Sequence, residues 1–569
     1  MRLTRFYLED YQVIRDLEIR FGSSDEFKPL YALDFLVGVN GTGKSTVLRA
    51  LVNIFLKLVS NQSLPEFRFD LEYEIEQPGT DAPRRIKISN REPALDYIVE
   101  DEDAPPPLRY ASTAPSCWAD AKIIAPDRSI LPKRLVIFTT GSEIAWERLL
   151  EENRQPRPSA PSQYYQQLLN TEQASLEARA RAKAEVPAEP TQLTMNLEAK
   201  SEPITRSVED DFVAMARHNV LENIFIQEQP GKLSQALAQE ADEEEWPILF
   251  IPSKQTALVS LCGILADLRD TTSTDQLRLK EVLSHLNIEG IPGFSLKFRL
   301  NSANATPNDR EWVATLSKRA SRAVQMGDDY LLVFDLADQQ KDQAAKILQG
   351  LDSLAFFERL LEMAQPPRYE EAMLQEVNIF IQRSQVTSDQ SKLTDEVPLL
   401  LFDWLSDGER SFLSRLSLFA LLGSTESLIL LDEPEVHFND YWKRQIVHLI
   451  DQTVREQPSH VLIVSHSSIT LTDVASDDIL IVKNEDGYTR QAVNPAIPTF
   501  GGDPGDIMIH VFGAPTPTGA YSVDRILKAI EQKQPDQLRY LLGISGAGYW
   551  SYRLRRALDE LELEQQSSQ

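Results

Sequence analysis

Gly38-Val39-Asn40-Gly41-Thr42-Gly43-Lys44-Ser45-Thr46 is the stretch that decides how this chain is read. It fits G-x-x-x-x-G-K-[ST], a pattern that chance supplies at on the order of one position in 10⁵. The glycines let successive backbone N–H groups turn inward on phosphate oxygens, and a helix starting there adds its positive N-terminal end. Lys44 is placed to reach β and γ phosphates, and the Ser45 hydroxyl to meet Mg²⁺. The flanks supply the context. Leu33–Val39 is a nearly continuous apolar run, as a buried strand requires. Val47, Leu48, Leu51, Val52, Phe55 and Leu58 then recur at helical spacing.

Working outward, residues 2–8 and 14–21 alternate apolar and polar, predicting two half-buried strands. DLEYEIE, RRIKIS and KRLVIFTT between Asp70 and Thr140 also read as strands, with Pro105–Pro107 in an acidic loop, and residues 142–152 read as a helix. Lys plus Arg is 58 and Asp plus Glu 86 in 569 residues, a net charge of −28. That excludes a globally basic nucleic-acid binder, so any such contact must be a local basic strip. The longest apolar runs fall short of the roughly 18 residues of a membrane span, and the N-terminus lacks a signal-peptide apolar segment. A cytoplasmic protein with no membrane partner is expected. Cys117 and Cys262 have no metal-ligand spacing around them.

A second group of motifs lies far downstream. Ser427–Leu431 is strand-like and ends in Asp432-Glu433-Pro434-Glu435, 388 residues after Lys44. A carboxylate leaving a strand end there suits a second Mg²⁺ contact from Asp432. Glu433, one residue on, is placed to orient and deprotonate a water. Glu435 either assists or serves as an acid at a helix start. His466 ends the next buried strand, Val461–Ser465, one helix and one strand after Asp432, and so should emerge at the same sheet edge. Trp404-Leu405-Ser406-Asp407-Gly408-Glu409-Arg410 precedes a helix 26 residues before Asp432. Locally it is a capped helix start, and an exposed Ser and Gly there also make an anion site.

In this order GVNGTGKST, LSDGER, LILLDEPE and IVSHSS resemble the Walker A, signature, Walker B and His-switch elements of ABC-type ATPase heads in SMC, RecF and OLD-like proteins. The N-terminal phrase L-x-x-Y-x-x-I-x-D-L-x-I-x-F and the large interruption between the two halves look like that class too. Within it the chain is most similar to prokaryotic AAA family ATPases associated with restriction and anti-phage systems, such as the ATPase of Septu-type pairs. The resemblance rests on residues 1–60 and 395–485.

It implies an α/β ABC-ATPase head split by a large, mostly helical insert, with a helical C-terminal tail. It also implies ATP and Mg²⁺ as cofactors. Gly38, Asn40, Gly41, Thr42, Gly43, Lys44, Ser45 and Thr46 would hold the nucleotide, Ser45 and Asp432 the metal, and Lys44, Glu433 and His466 would carry hydrolysis. Ser406, Gly408 and Glu409 would meet the γ-phosphate held by a second copy, making a homodimer or higher oligomer through an ATP sandwich. Asp407 stands where transporters usually have Gly. The glutamine that couples such sites to their inserts has three candidates, Gln227, Gln229 and Gln255.

The expected division is 1–141 and 395–495 for the two halves of the head, 142–394 for the insert and 496–569 for the tail. Residues 153–205 within the insert are rich in Pro, Ala, Ser, Gln and Glu and read as a partly disordered linker. Residues 201–246 carry net −8 and end in the run Asp242–Glu245. Residues 255–390 read as interrupted helices separated by the short strands FSLKFRL and YLLVFDL. Heptads are absent, which argues against long coiled-coil arms. No Asp-x-Asp follows His466, and the seven histidines form no HNH or H-E-x-x-H arrangement, so a nuclease or other effector, such as an HNH-type nuclease, is expected on a separate chain. Tyr549-Trp550-Ser551-Tyr552-Arg553-Leu554-Arg555-Arg556 is a local basic, aromatic cluster that could meet DNA or RNA, or else an amphipathic helix whose aromatics pack. Lys318, Arg319 and Arg322 form a weaker basic patch. The expected function is an ATP-driven dimerisation switch regulating an effector; the alternative is a RecF-like DNA-repair ATPase.

Overall fold

The computed structural model describes residues 1–22, 31–60, 65–75, 83–91, 98–101, 131–140, 143–153, 248–270, 279–300, 305, 307–336, 340–348, 351–365, 371–383, 399–422, 426–454 and 459–567. The proline loop at 105–107, the linker beyond Asn153, the acidic run at 242–245, and Gln227 and Gln229 lie outside them.

The first half of the chain folds as β1 (Arg2–Tyr11), β2 (Ile14–Arg20), β3 (Ala32–Val37), α1 (Lys44–Ser60), β4 (Phe69–Ile75), β5 (Arg84–Ser89), β6 (Ile98–Asp101), β7 (Arg134–Thr139) and α2 (Glu143–Asn153). After β8 (Ile248–Ile251) come α3 (Thr256–Asp270), α4 (Lys280–His285), β9 (Ile288–Arg299), α5 (Pro307–Arg319), β10 (Arg322–Met326) and β11 (Asp329–Asp335). Then follow α6 (Gln340–Ile347), α7 (Ser353–Ala364), β12 (Leu374–Arg383), β13 (Leu399–Leu401) and α8 (Asp407–Leu422). The chain returns to the large sheet with β14 (Ser427–Asp432), α9 (Asp440–Val454), β15 (His460–Val464), β16 (Ile479–Glu485) and β17 (Tyr488–Val493). It ends in α10 (Pro504–His510), α11 (Ala520–Gln532), α12 (Pro535–Ile544) and α13 (Tyr549–Ser567).

Twelve strands form one sheet in the order β6-β5-β4-β1-β2-β17-β16-β3-β15-β14-β7-β8. Its β6-to-β2 side is antiparallel, and β16, β3, β15, β14, β7 and β8 run parallel. Strands β3, β7, β14 and β15 are buried along their whole length, as parallel strands covered on both faces must be. Alternate residues then enter different cores. Phe35, Phe138, Leu431 and Ile463 join one beneath α3 and α8, while Leu36, Ile137, Leu430 and Val464 join another beneath α1. The register aligns Leu36, Val464, Asp432 and Thr139 in one row across four strands. The chain segments that follow all four therefore leave from the same edge, where α/β sheets bind ligands.

The short strands expected inside the insert are not isolated. They pair into a second, five-stranded antiparallel sheet, β10-β11-β9-β12-β13, built around the 12-residue β9. Phe380 of β12 lies opposite Leu401 of β13, so this sheet spans the 394/395 division drawn from sequence. Its Phe294, Phe298 and Phe334 share one core with Phe35 and Phe138 of the large sheet. The contact between the two parts is close: a Cβ on Gly263 of α3 would lie 2.2 Å from the Ser417 carbonyl oxygen of α8. Helices α11, α12 and α13 gather around a small core of their own, Ile526, Ala529, Leu538, Leu554, Ala557 and Leu558. No helix among the described residues is long and apolar enough to cross a membrane.

Candidate nucleotide site

The loop after β3 has the backbone its glycines require. Gly38, Gly41 and Gly43 have φ of 147°, 82° and 80°, values that L side chains rarely adopt. A Cβ on Gly38 would also lie 2.6 Å from the Val482 carbonyl oxygen. Thr42 Oγ1 donates to the Val39 carbonyl at 2.9 Å, and Thr489 Oγ1 donates to the Thr42 carbonyl at 2.7 Å, tying the loop to β17. Asn40 and Gly41 are exposed at its tip. Thr46, one turn into α1, accepts from Arg49 at 3.0 Å.

Lys44 is buried and folds back over the loop, its Nζ donating to the carbonyls of Gly38 (3.1 Å) and Val39 (3.0 Å). Burial pushes its ammonium down to about 8, against the opposing charges of Glu433 and Asp432. A buried cation on a glycine-rich loop at the start of a helix is a place for polyphosphate.

Ser45 Oγ donates to Asp432 Oδ1 at 2.8 Å. This bond joins the two distant motifs and puts two hard oxygen donors side by side, a set that suits Mg²⁺. Burial raises the Asp432 carboxyl, with the bonds from Ser45 and from the indole of Trp146 opposing the rise. Trp146, on α2, is fully buried.

Glu433 has φ of 53°, in the left-handed region, at the end of β14. The strand ends hold it there: its N–H donates to the Val464 carbonyl at 3.0 Å, and its carbonyl accepts from Thr140 Oγ1 at 2.8 Å. The turned backbone presents the carboxylate to His466, whose Nε2 is 3.2 Å from Glu433 Oε1. Burial, then the charge of Lys44, pushes the imidazole down to about 4, so it meets Glu433 as a neutral donor near pH 7. The Glu433 carboxylate is partly exposed and open to a water.

The structure thus brings Lys44, Ser45, Asp432, Glu433 and His466 together. Ser406, Gly408 and Glu409 form their own cluster at the start of α8. Ser406 N and Oγ both donate to Glu409 Oε2, at 2.8 and 2.9 Å, and Glu409 N donates back to Ser406 Oγ at 3.3 Å, a reciprocal cap. Burial opposes ionisation of Glu409. The bonds from Ser406 and the paired Arg383 outweigh it and hold the carboxyl below its usual range. Gly408 is needed for close approach, since a Cβ there would lie 2.6 Å from the His437 carbonyl oxygen. Gln255 sits in the tight turn Ser253–Gln255 directly after β8, two strands from β14, a strand-end context that its sequence surroundings do not display.

Thr140, Trp146, Arg415 and the buried role of Glu435 were not read from the sequence. Thr140 carried one signal, a hydroxyl just past a buried strand. Trp146 and Arg415 sit within helices and carried none. The Tyr549–Arg556 cluster mixes both readings. Trp550 packs and donates to Thr518 Oγ1 at 3.1 Å, and Arg556 pairs with Glu560 at 3.0 Å, whereas Tyr549 and Tyr552 are each 60% exposed. In the second basic patch Arg319 is bound to the Ile347 carbonyl at 2.8 Å.

Fold and site together define an α/β domain in which a glycine-rich loop and a strand-end acid cluster, from two distant stretches of chain, meet at one sheet edge, an arrangement suited to a nucleotide. Residues 296–473 match a family model described as "AAA domain, putative AbiEii toxin, Type IV TA system", a span that holds Asp432, Glu433 and His466 but not the phosphate loop. Among solved structures the chain is similar to the SMC head domain from Thermotoga maritima, at 10% identity over 87% of this chain and 100% of that one, TM-score 0.29. It is also similar to an Smc head domain with an extended coiled coil bound to the C-terminal domain of ScpA from Pyrococcus furiosus, at 10% identity over 86% and 96%, TM-score 0.28. Overlaps this loose carry no residue correspondence. No curated protein matches the chain.

Proposed function

We propose that the chain binds and hydrolyses ATP with Mg²⁺ and works as a nucleotide-driven dimerisation switch that regulates a separate effector, such as a nuclease, in a prokaryotic defence system. The observation that carries the ATPase reading is the Ser45–Asp432 hydrogen bond, with Glu433 and His466 paired beside it. Bound Mg²⁺ would neutralise charge on the β and γ phosphates. The chain's own part is to cradle the phosphates on the 38–46 loop, balance them with Lys44 and orient a water from Glu433. His466 holds that carboxylate in place.

The dimeric reading is supported by the exposed cap at Ser406. Its hydrogen bonds run to Glu409, and it stands on the surface where a second copy could present a γ-phosphate. The order of the four motifs and their large interruption support the ATPase-head reading; the defence role is carried by the resemblance to ATPases associated with restriction and anti-phage systems. Direct contact with nucleic acid, if part of the switch, belongs to the exposed tyrosines of α13.

The test is ATP turnover and binding by Lys44→Ala and Glu433→Gln. Loss of binding in the first, and retained binding with slow hydrolysis in the second, is expected. Normal turnover in Glu433→Gln removes Glu433 from the catalytic role.

A further inference from the structure

Two acids leave the end of β14, and the second, Glu435, is one of the most enclosed charged groups described. It is 5% exposed, and burial raises its carboxyl. Its Oε1 accepts from Ser465 Oγ at 2.5 Å and from the backbone N–H of His466 at 3.0 Å, while its Oε2 has no hydrogen-bond partner. The same loop is gripped from the other side by Arg415, in the interior of α8. Arg415 is 3% exposed, donates from one terminal nitrogen to the Val436 carbonyl at 3.1 Å, and lies over the Phe438 ring at 4.8 Å. Its Nε also lacks a partner. Burial pushes the guanidinium down to about 9, against the charge of Glu435.

Two buried opposite charges, each with an unsatisfied polar atom, are a poor way to gain stability. A well-packed apolar pair would serve as well or better. What they do here is geometric. Glu435 fixes the main chain at Ser465–His466, and the ring of that same His466 meets Glu433. Arg415 ties the Glu435 loop to the helix that begins with Asp407, directly after Ser406.

We propose that Glu435 is a positioning residue for hydrolysis: it pins the His466 main chain so that the imidazole stays on Glu433, and Arg415 holds Glu435 to the helix whose N-terminus carries Ser406. This rests on the ATPase reading above and adds a connection to it. Movement of α8, on engagement of Ser406, would reach His466 through one side chain on each side of the 435–438 loop.

The experiment compares Glu435→Gln, Glu435→Ala and the double variant Arg415→Met/Glu435→Gln with the unaltered chain and Glu433→Gln. Steady-state ATP turnover, ATP affinity and melting temperature are read for each. A misplacement of about 1 Å at a reacting group costs on the order of 100-fold, so Glu435→Ala should lose kcat by about that factor. KM and ATP affinity should stay within about twofold, because Lys44, Ser45 and Asp432 are untouched. Glu435→Gln keeps an acceptor for His466 N–H and should fall less. The double variant, with no lone buried charge, should melt higher than Glu435→Gln, yet turn over more slowly than it, because the tie from the 435–438 loop to α8 is cut; turnover equal to that of Glu435→Gln overturns the Arg415 link.

Unchanged kcat in Glu435→Ala overturns the proposal. So does a loss of kcat that merely follows melting temperature and ATP affinity downward. If Glu433→Gln is inactive while both Glu435 variants turn over normally, this inference fails alone. If the unaltered chain does not hydrolyse ATP, the ATPase reading fails and takes this inference with it.

Discussion

Glu433 holds a backbone conformation that costs a non-glycine residue about 1–3 kcal/mol. It persists because Val464 and Thr140 over-determine it with hydrogen bonds to both sides of its peptide unit. The geometry gains a carboxylate turned toward His466 and toward solvent. Glu433→Gln keeps shape and backbone but cannot take a proton, so hydrolysis should fall by about 10²–10⁴-fold with ATP binding retained; single-turnover kinetics beside equilibrium binding separate the two. His466 carries a second prediction. Its folded value lies near 4 against an ordinary 6.5, so between these the unfolded chain takes the proton and the folded chain does not. Its contribution is therefore full above about 6.5 and is lost as pH falls toward 4. His466→Gln should flatten the fall of melting temperature across that window, measured by calorimetry at closely spaced pH. An unaltered slope would mean that His466 is not the group held neutral.

Elements show what the sequence can and cannot express. The Lys44 loop was legible because its glycines, lysine and hydroxyl sit within nine residues, and β1 and β2 because alternation over a hairpin is local. The second sheet was not, although two of its strands were read. Pairing of β9 with β12 joins residues some 80 apart, such as Phe294 and Ile379, and nothing in either strand names its partner. The four-residue β8 is too short to show a period. Helix contacts are equally silent: Gly263 looks like a helix flaw until α8 is seen against it. Gly263→Ala should therefore cost about 1–3 kcal/mol or more by overpacking, read as a fall in melting temperature. Gly408→Ala tests a different contact. Its Cβ would meet the His437 carbonyl, so the start of α8 must move away from the loop that follows Glu435. ATP binding to one copy should survive this change, and hydrolysis should not.

At the scale of the whole molecule, the two halves of the candidate nucleotide site are legible in sequence because they are short motifs; their union is not, because 388 residues separate Lys44 from Asp432. The sheet unites them by placing β15 between β3 and β14, so that one row of residues carries both halves to a single edge. Within one chain that edge gathers Lys44, Ser45, Asp432, Glu433 and His466, whereas Ser406 is bound in a cap of its own. In the proposed dimeric reading, a second copy brings its Ser406 to the γ-phosphate held at this edge. Glu433→Gln, which holds ATP without consuming it, should therefore double its mass in light scattering on addition of Mg²⁺-ATP. Ser406→Arg in the same background should bind ATP and remain at the original mass, since the long side chain would occupy the place of the partner's phosphate. If Ser406→Arg still doubles, the copies meet through another surface and Ser406 is only a helix cap. If Glu433→Gln stays at its original mass with ATP bound, closure requires an additional ligand, and short single-stranded DNA is the first to add, because Tyr549 and Tyr552 stand exposed on a helix with three arginines among the next four residues.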